Sequence, residues 1–449
     1  MTTFLRLWAG QSVSLVGSAL TSFALGVWVY QQTGSVTGLG LVYLLVFLPA
    51  IVVSPFTGAL ADRLDRRVPL IAAAVGGILL TLALAALAAT DQLRPWHVYV
   101  TTAVSSVLGA LQLPAFGATV GLLVPQRHLG RANGLVMLAQ SVAQIIGPLA
   151  GGLLIGALGL RTLILADCAS FVFALASVLS VRIPRPPQRP AADQDEEEPA
   201  GLLSAGAQSR RWIAARPGLV ALLAFYAVLN FAVGFVDVLI TPLVLGFAGT
   251  DGLGTVLAVG GTGMVVGSVL MSLWGGPRRR VHGVLGFSAL LGAALTVGAL
   301  RASVVWVAAA AFGFLFCSAL INAGNRSLWQ AKVDPELQGR VIALENMVAT
   351  IPLPLAYLLA GPVTDHVMAP LVSGGGGVAR LAAALVGDRP SAPMAALLLL
   401  CGLVVVAASG AGYLHPRLRR VDTELPDALP APADPAPPHP RAGQASGRA

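Results

Sequence analysis

The sequence predicts an all-α integral membrane protein with about twelve transmembrane helices in two six-helix halves, and three observations carry that expectation. First, 56% of the 449 residues are hydrophobic and only 11% are charged, where soluble proteins carry about 25% charged residues. Second, the apolar residues gather into runs of about twenty or more, the length a helix needs to cross a bilayer. Third, the basic residues sort by loop. With the N-terminus placed in the cytoplasm, five of the 28 (Arg94, Arg161, Arg301, Arg380 and Arg389) fall outside and 23 fall inside. Lys and Arg favour the cytoplasmic side, so the expected topology is N-in/C-in.

Taken in order, the expected spans are 7–30, 37–61, 68–89, 96–123, 134–158, 162–181, 218–246, 253–275, 281–300, 302–323, 341–363 and 394–414. The stretch from Met1 to Arg6 is too short to stand apart from the first span as a cleavable signal. Cys168, Cys317 and Cys401 lie in separate apolar runs, as small apolar fillers rather than disulfide partners. The six histidines show no metal-ligand spacing. The net charge of +8 sits in the inner loops, so it marks membrane orientation and not a nucleic-acid surface.

The domain expectation is an N-terminal half at 1–181, a cytoplasmic linker at 182–217, a C-terminal half at 218–415 and a disordered tail at 416–449. The linker carries the acidic run Asp193-Gln194-Asp195-Glu196-Glu197-Glu198, a solvated segment by composition. Its second part, 202–217, mixes Leu202, Leu203, Trp212 and Ile213 with Arg210, Arg211 and Arg216, which suits an amphipathic helix on the inner leaflet. The halves echo each other: Pro125-Gln126-Arg127-His128-Leu129-Gly130-Arg131 precedes span five and Pro335-Glu336-Leu337-Gln338-Gly339-Arg340 precedes span eleven. Repeats of this size place a transporter's substrate site between the halves, near the midplane. An outer loop at 366–393, pliable at Gly374–Gly377, separates the last two spans.

Between spans two and three lies Gly58-Ala59-Leu60-Ala61-Asp62-Arg63-Leu64-Asp65-Arg66-Arg67. Gly58 permits close approach of helix ends, Asp62 suits a helix N-terminus, and Arg63, Arg66 and Arg67 offer donors to carboxylates and lipid phosphates. An ordinary positive-inside turn shares this composition. Other short motifs are Trp8-Ala9-Gly10-Gln11, Thr33-Gly34-Ser35, Gly130-Arg131-Ala132-Asn133, Asp167-Cys168-Ala169-Ser170-Phe171, Gly339-Arg340-Val341 and Gly361-Pro362. Together these resemble the major facilitator superfamily of secondary transporters, and within it the branch with macrolide-efflux and enterobactin-exporter proteins. Span five contains Gly147-Pro148-Leu149-Ala150-Gly151-Gly152, which resembles the Gly-Pro-rich motif of exporters in that superfamily. Pro148 removes a backbone donor and kinks a helix, and the glycines suit packing across the contact between halves; plain packing would use the same residues.

Ionisable groups inside spans are functional candidates, and three acids qualify: Asp167, Asp237 and Glu345. No Lys or Arg lies deep in a span to pair with them. Desolvation penalises an unpaired carboxylate in its charged form, which suits proton exchange or a cationic substrate. Asp237 is the leading candidate for a cavity-facing site, with Asn230 and Gly234 on roughly its face of span seven. Asp167 also suits a structural role, and Glu345, barely a turn beyond Arg340, an inner charge network. Gln140 and Gln144, one turn apart, could line a cavity or bond between helices. Two features depart from the resemblance: span four has no arginine, and Ser18 follows Gly17 where some branch members carry an acid.

An ATP-driven pump needs a P-loop Gly-Lys-[Ser/Thr], and the only lysine is Lys332, in Ala331-Lys332-Val333. No paired acids or clustered histidines suggest an enzyme, and no cofactor or metal is expected. The resemblance implies a multi-pass exporter of the bacterial plasma (inner) membrane, working by alternating access on an amphipathic small molecule and exchanging it for protons. Expected partners are that substrate, protons and membrane lipids, with no nucleic acid and a monomeric chain. A dedicated siderophore or peptide-metabolite exporter is the alternative, and a lipid scramblase or transport-dead sensor would use the same bundle.

Overall fold

The computed structural model describes residues 2–63, 65, 67–125, 128–181, 210–277, 279–333, 335–374, 376–387 and 389–424. At 54–63, 130, 145, 335–336, 339–340, 343, 378 and 423–424 it describes the backbone alone. The N-terminal half holds α1 (Thr2–Thr33), α2 (Val36–Arg63), α3 (Arg67–Ala89), α4 (Pro95–Leu123) and α5 (Leu129–Ser180). The C-terminal half holds α6 (Pro217–Trp274), α7 (Arg280–Ala299), α8 (Val304–Lys332), α9 (Pro335–Thr350) and α10 (Pro352–Pro362). It ends with α11 (Ala369–Ser373), α12 (Gly377–Val386), α13 (Ala392–Leu414), α14 (Pro416–Arg419) and α15 (Val421–Glu424).

Ten helical stretches among the described residues are long and apolar enough to cross a membrane. Two of them are double. Gly159 (φ 76°, ψ 160°) breaks α5, and Gly249 (φ 62°, ψ −167°) breaks α6. Only glycine takes such a left-handed backbone without a Cβ clash, so each long helix divides into two limbs and the ten stretches make twelve spans. Both breaks fall in the connections the hydropathy pattern left between spans. In α5 the backbone stays helical through Pro148.

The core is shared between the halves, since Val36, Leu39 and Leu44 of α2 belong to the largest cluster. That cluster, centred on α6, holds Leu222, Leu239, Leu285, Ile321 and Trp329. Separate N-terminal clusters hold Phe4, Leu7, Leu70 and Val178, and Val29, Leu84, Val98 and Ile164. A fourth cluster joins Val27 of α1 to Val244, Leu253, Val256 and Val307 of the other half. It lies at the end of the bundle remote from the N-terminus.

Three expectations change. The loop placed at 366–393 is largely helical: α10 passes through a π-helical turn at Val363–Met368 into α11, and α12 follows. Pro362 lacks the N–H that would bond one turn back, and the widened turn lets the helix continue past it. The tail placed as disordered from 416 begins with two docked turns, α14 and α15, in which Leu418 and Val421 are buried. Arg417 and Val421 pack at Gly218, the start of α6. The proposed linker helix is described only from Arg210, where 210–214 is helical. Ile213 is buried and Trp212 packs on the C-terminal core, with the Arg216 guanidinium 3.6 Å over its ring centre, so this turn packs against the C-terminal half. The acidic run 193–198, the rest of the linker and the tail beyond Glu424 lie outside the described residues.

Candidate substrate and proton site

Asp237 lies on the first limb of α6, and the Tyr357 hydroxyl of α10 donates to its Oδ2 at 3.1 Å. Two features of α6 set that distance. Gly234 lets α10 come close, since a Cβ there would sit 2.6 Å from the Ala356 Cβ. Two turns before Asp237, Asn230 donates its side-chain amide to the Ala349 carbonyl at 2.6 Å. Asn230 therefore braces α6 against α9 and does not line the cavity, contrary to its place among the candidate substrate residues.

Tyr357 also faces the other half. Its ring centre lies 5.6 Å from that of Tyr43 and 5.8 Å from that of Phe47, both on α2. These residues bound a cavity of about 500 Å³ between the halves, lined as well by Gln144 and Pro148 of α5, Phe23 of α1 and Phe314 of α8. Asp237 is its only carboxylate, and no Lys, Arg or His lines it among the described residues.

A second cavity, of about 370 Å³, lies within the N-terminal half between α1, α3, α4 and both limbs of α5. Gln140 opens into this one, so the two glutamines one turn apart serve different cavities. The cavities adjoin, sharing Ser22 and Val46. Asp167 faces the second cavity and is only 4% exposed. The Ser18 and Ser170 hydroxyls donate to its Oδ1 at 3.2 and 3.1 Å. Ser18, at the position where the resemblance would allow an acid, thus serves an acid supplied from α5.

Glu345 reaches neither cavity. It is buried between α9 and α8, accepting from the Asn325 amide at 2.9 Å; the Arg340 side chain lies outside the description. Gly147 and Gly151 differ from expectation too. They face α1, where a Cβ on Gly147 would lie 2.7 Å from the Ala19 Cβ and one on Gly151 3.2 Å from the Leu20 carbonyl. These two packing positions are one turn apart, on a face turned into their own half. Gly152, rotated by about 100° on the helix, meets Gly254 of the other half instead.

Contacts between the halves gather at the end remote from the N-terminus. A Cβ on Gly40 would strike the Tyr357 carbonyl, one on Gly361 would strike Thr37, and Gly156 faces Thr250. Of the charged turn at 58–67, α2 runs through Gly58, Asp62 and Arg63, whose side chains lie outside the description, as does all of Arg66. Arg67 is placed. Its guanidinium donates to the Leu179 carbonyl at 3.1 Å, at the C-terminus of α5, where a cation is favoured.

Taken singly, Tyr357 and Tyr43 carry no local signal in the sequence; Gln11 and Gln112 stand out as polar groups within spans, but not their pairing, in which the Gln112 amide donates to the Gln11 carbonyl. Each depends on helices brought together over about a hundred residues or more. The one local hint is the four-residue spacing of Tyr43 and Phe47, which puts both rings on one face of α2.

Among the described residues, the apolar spans form two halves about a cavity with a single carboxylate, the architecture of a multi-pass membrane transporter. The Major Facilitator Superfamily profile matches residues 7–357, and the chain belongs to that family. It is 27% identical to macrolide efflux protein A of Streptococcus pyogenes over 378 residues, covering 81% of this chain and 90% of that protein. It is 34% identical over 122 residues, 27% of this chain and 29% of the relative, to the multidrug resistance protein MdtG of Salmonella paratyphi C. Among solved structures, a bacterial homologue of the human lysosomal transporter Spinster superposes with a TM-score of 0.66 at 16% identity, covering 94% of this chain and 97% of that one. The nucleoside transporter NupG also gives 0.66, at 12% identity and coverages of 92% and 98%.

Proposed function

We propose that the protein exports an amphipathic small molecule, a macrolide-like drug or natural product, across the bacterial plasma membrane by alternating access, in exchange for protons. The observation that carries the proposal is the cavity between the halves, apolar but for a few polar groups and holding a single carboxylate, Asp237, with no cation beside it among the described residues. Apolar walls suit a lipophilic substrate. A carboxylate held in such walls is stable when it has gained a proton or a cationic partner, so the two compete for one site. That competition is the thermodynamic core of exchange.

The similarity to macrolide efflux protein A supports the direction and the substrate class. With the N-terminus inside, as the loop charges imply, the glycine contacts close the outer end and the cavity belongs to the inward-facing state. Tyr357 would couple the site to the gate, because it holds Asp237 through its hydroxyl and meets α2 through its ring and backbone. Gly58, Asp62, Arg63, Arg66 and Arg67 would control the inner closure, and Gly147, Pro148 and Gly151 the movement of α5 against α1. The halves at 1–181 and 218–415 would then move against each other, with the docked residues 210–216 and 416–422 carried along by the second.

The test is accumulation of a panel of macrolides and siderophores in an efflux-deficient bacterium expressing the chain, with and without a protonophore. Lower accumulation of a macrolide, restored by the protonophore, supports the proposal. Lower accumulation of siderophores alone supports the dedicated metabolite exporter, and no effect on any compound at confirmed membrane expression contradicts export of either class.

A further inference from the structure

The cavity inside the N-terminal half has its own chemistry. It is walled by α1, α3, α4 and α5, with Val46 of α2 at the side that adjoins the cavity between the halves. Most of its wall is apolar, including Leu80, Leu84, Leu108, Phe116 and Phe171. Besides Gln140 and several hydroxyls, it holds two strong polar features that stand apart, Asp167 and the Gln11–Gln112 pair. At one end the Ser18 and Ser170 hydroxyls meet Asp167 at Oδ1 and the Thr21 hydroxyl stands beside the same carboxylate; with about four lone-pair sites, the group can still accept from a further donor. At the other end Gln11, 8% exposed, has its carbonyl engaged by Gln112. Its amide Nε2 is buried with no hydrogen-bond partner. A buried amide donor left without an acceptor is costly, and a ligand acceptor at that point would recover the lost bond.

Gln11 and Ser18, the Asp167 partner, are seven residues apart on α1, about 10 Å along the helix axis. We propose that this cavity is a second binding site, separate from the one between the halves, for an elongated amphipathic amine: its protonated nitrogen on the Asp167 carboxylate, its apolar body between α3 and α4, and a hydrogen-bond acceptor at the far end on Gln11 Nε2. A volume of about 370 Å³ suits a compact amine. Because the cavities adjoin at Ser22 and Val46, an occupant here borders the substrate path. The inference rests on the transporter reading only in the use the cell would make of the site; binding itself does not depend on it.

The test uses the full chain in lipid nanodiscs and radiolabelled metoprolol, which carries an amine at one end and a methyl ether at the other. Two analogues serve as controls, one with the nitrogen replaced by carbon and one lacking the ether oxygen. Wild type should bind metoprolol at least tenfold more tightly than either. Asp167→Asn should lower metoprolol affinity at least tenfold while leaving the nitrogen-free analogue unchanged. Gln11→Leu should weaken metoprolol about tenfold and leave the ether-free analogue unchanged. Ser105→Phe, which puts a ring into the cavity from α4, should abolish binding, and retained binding of the nitrogen-free analogue shows that Asp167→Asn is folded. Asp237→Asn, which should stop proton-coupled export, should leave metoprolol affinity within twofold. Absence of wild-type binding, or affinity that responds to Asp237→Asn and not to Asp167→Asn, overturns the second site. Loss of transport with these binding results intact would separate failure of the export reading from failure of this one.

Discussion

The Tyr357 hydroxyl donates to Asp237 Oδ2 at 3.1 Å while the Tyr357 ring packs against Tyr43 and Phe47 of the opposite half. One side chain thus touches both the carboxylate of the central cavity and the surface across which the halves move. Any change in how α2 meets α10 is felt at Asp237, and any change in the Asp237 charge is felt at that contact.

Tyr357→Phe keeps the ring and removes the donor. A hydrogen bond to a charged group contributes about 1.5–3 kcal/mol, so coupled efflux should fall about tenfold or more at unchanged membrane expression. Uptake of a fluorescent substrate into inverted vesicles measures it; an unaltered rate would remove Tyr357 from the coupling path.

Gly40 and Gly361 let α2 and α10 meet without side chains between them. Gly40→Val should spread the halves at that end and depopulate the conformation described here. Spin labels at Ser35 and Asp365 should report a longer distance by pulsed electron resonance. The three native cysteines are buried and should stay silent. An unchanged distance would show that this contact does not hold the end shut.

The docked tail makes a prediction of another kind. Asp422 caps α7, accepting from the Val281 N–H at 3.0 Å through Oδ2, and its carbonyl accepts from Lys332 Nζ at 2.9 Å. Loss of an N-terminal cap costs about 1 kcal/mol. Asp422→Ala should therefore lower the Tm of the purified protein by about 2–4 °C while leaving substrate affinity alone. Thermal unfolding followed by thiol exposure of the buried cysteines measures this.

Asp62→Asn addresses the charged turn after α2. The substitution should slow the conformational cycle and leave membrane insertion intact. Transport at the wild-type rate with normal expression would count against a gating role for that carboxylate.

Much of this arrangement is legible in the amino-acid sequence. Span number follows from apolar length, and the breaks at Gly159 and Gly249 fall where two runs of about twenty residues had to be joined. Asp237 stands out because a carboxylate in an apolar run is costly. Its partner does not, since nothing local distinguishes Tyr357 from a packed tyrosine until α10 is laid against α6. Asn230 shows the converse error. It shares a helix face with Asp237, but Gly234 brings α10 so near that this face is covered by protein, and the amide meets a backbone carbonyl instead of the cavity. Gln140 and Gln144 share a face too, and still divide between two cavities because α5 runs along their common wall. Span length is a property of one segment; cavity lining belongs to several at once.

Proton exchange at Asp237 is open to direct measurement in proteoliposomes holding the purified protein and a pH-sensitive dye. Addition of a transported macrolide should move protons across the membrane in the direction opposite to the drug, and Asp237→Asn should bind the drug yet move no protons. Equal proton movement in wild type and Asp237→Asn would place the coupling site elsewhere, and drug transport by wild type with no proton movement at all would contradict exchange altogether.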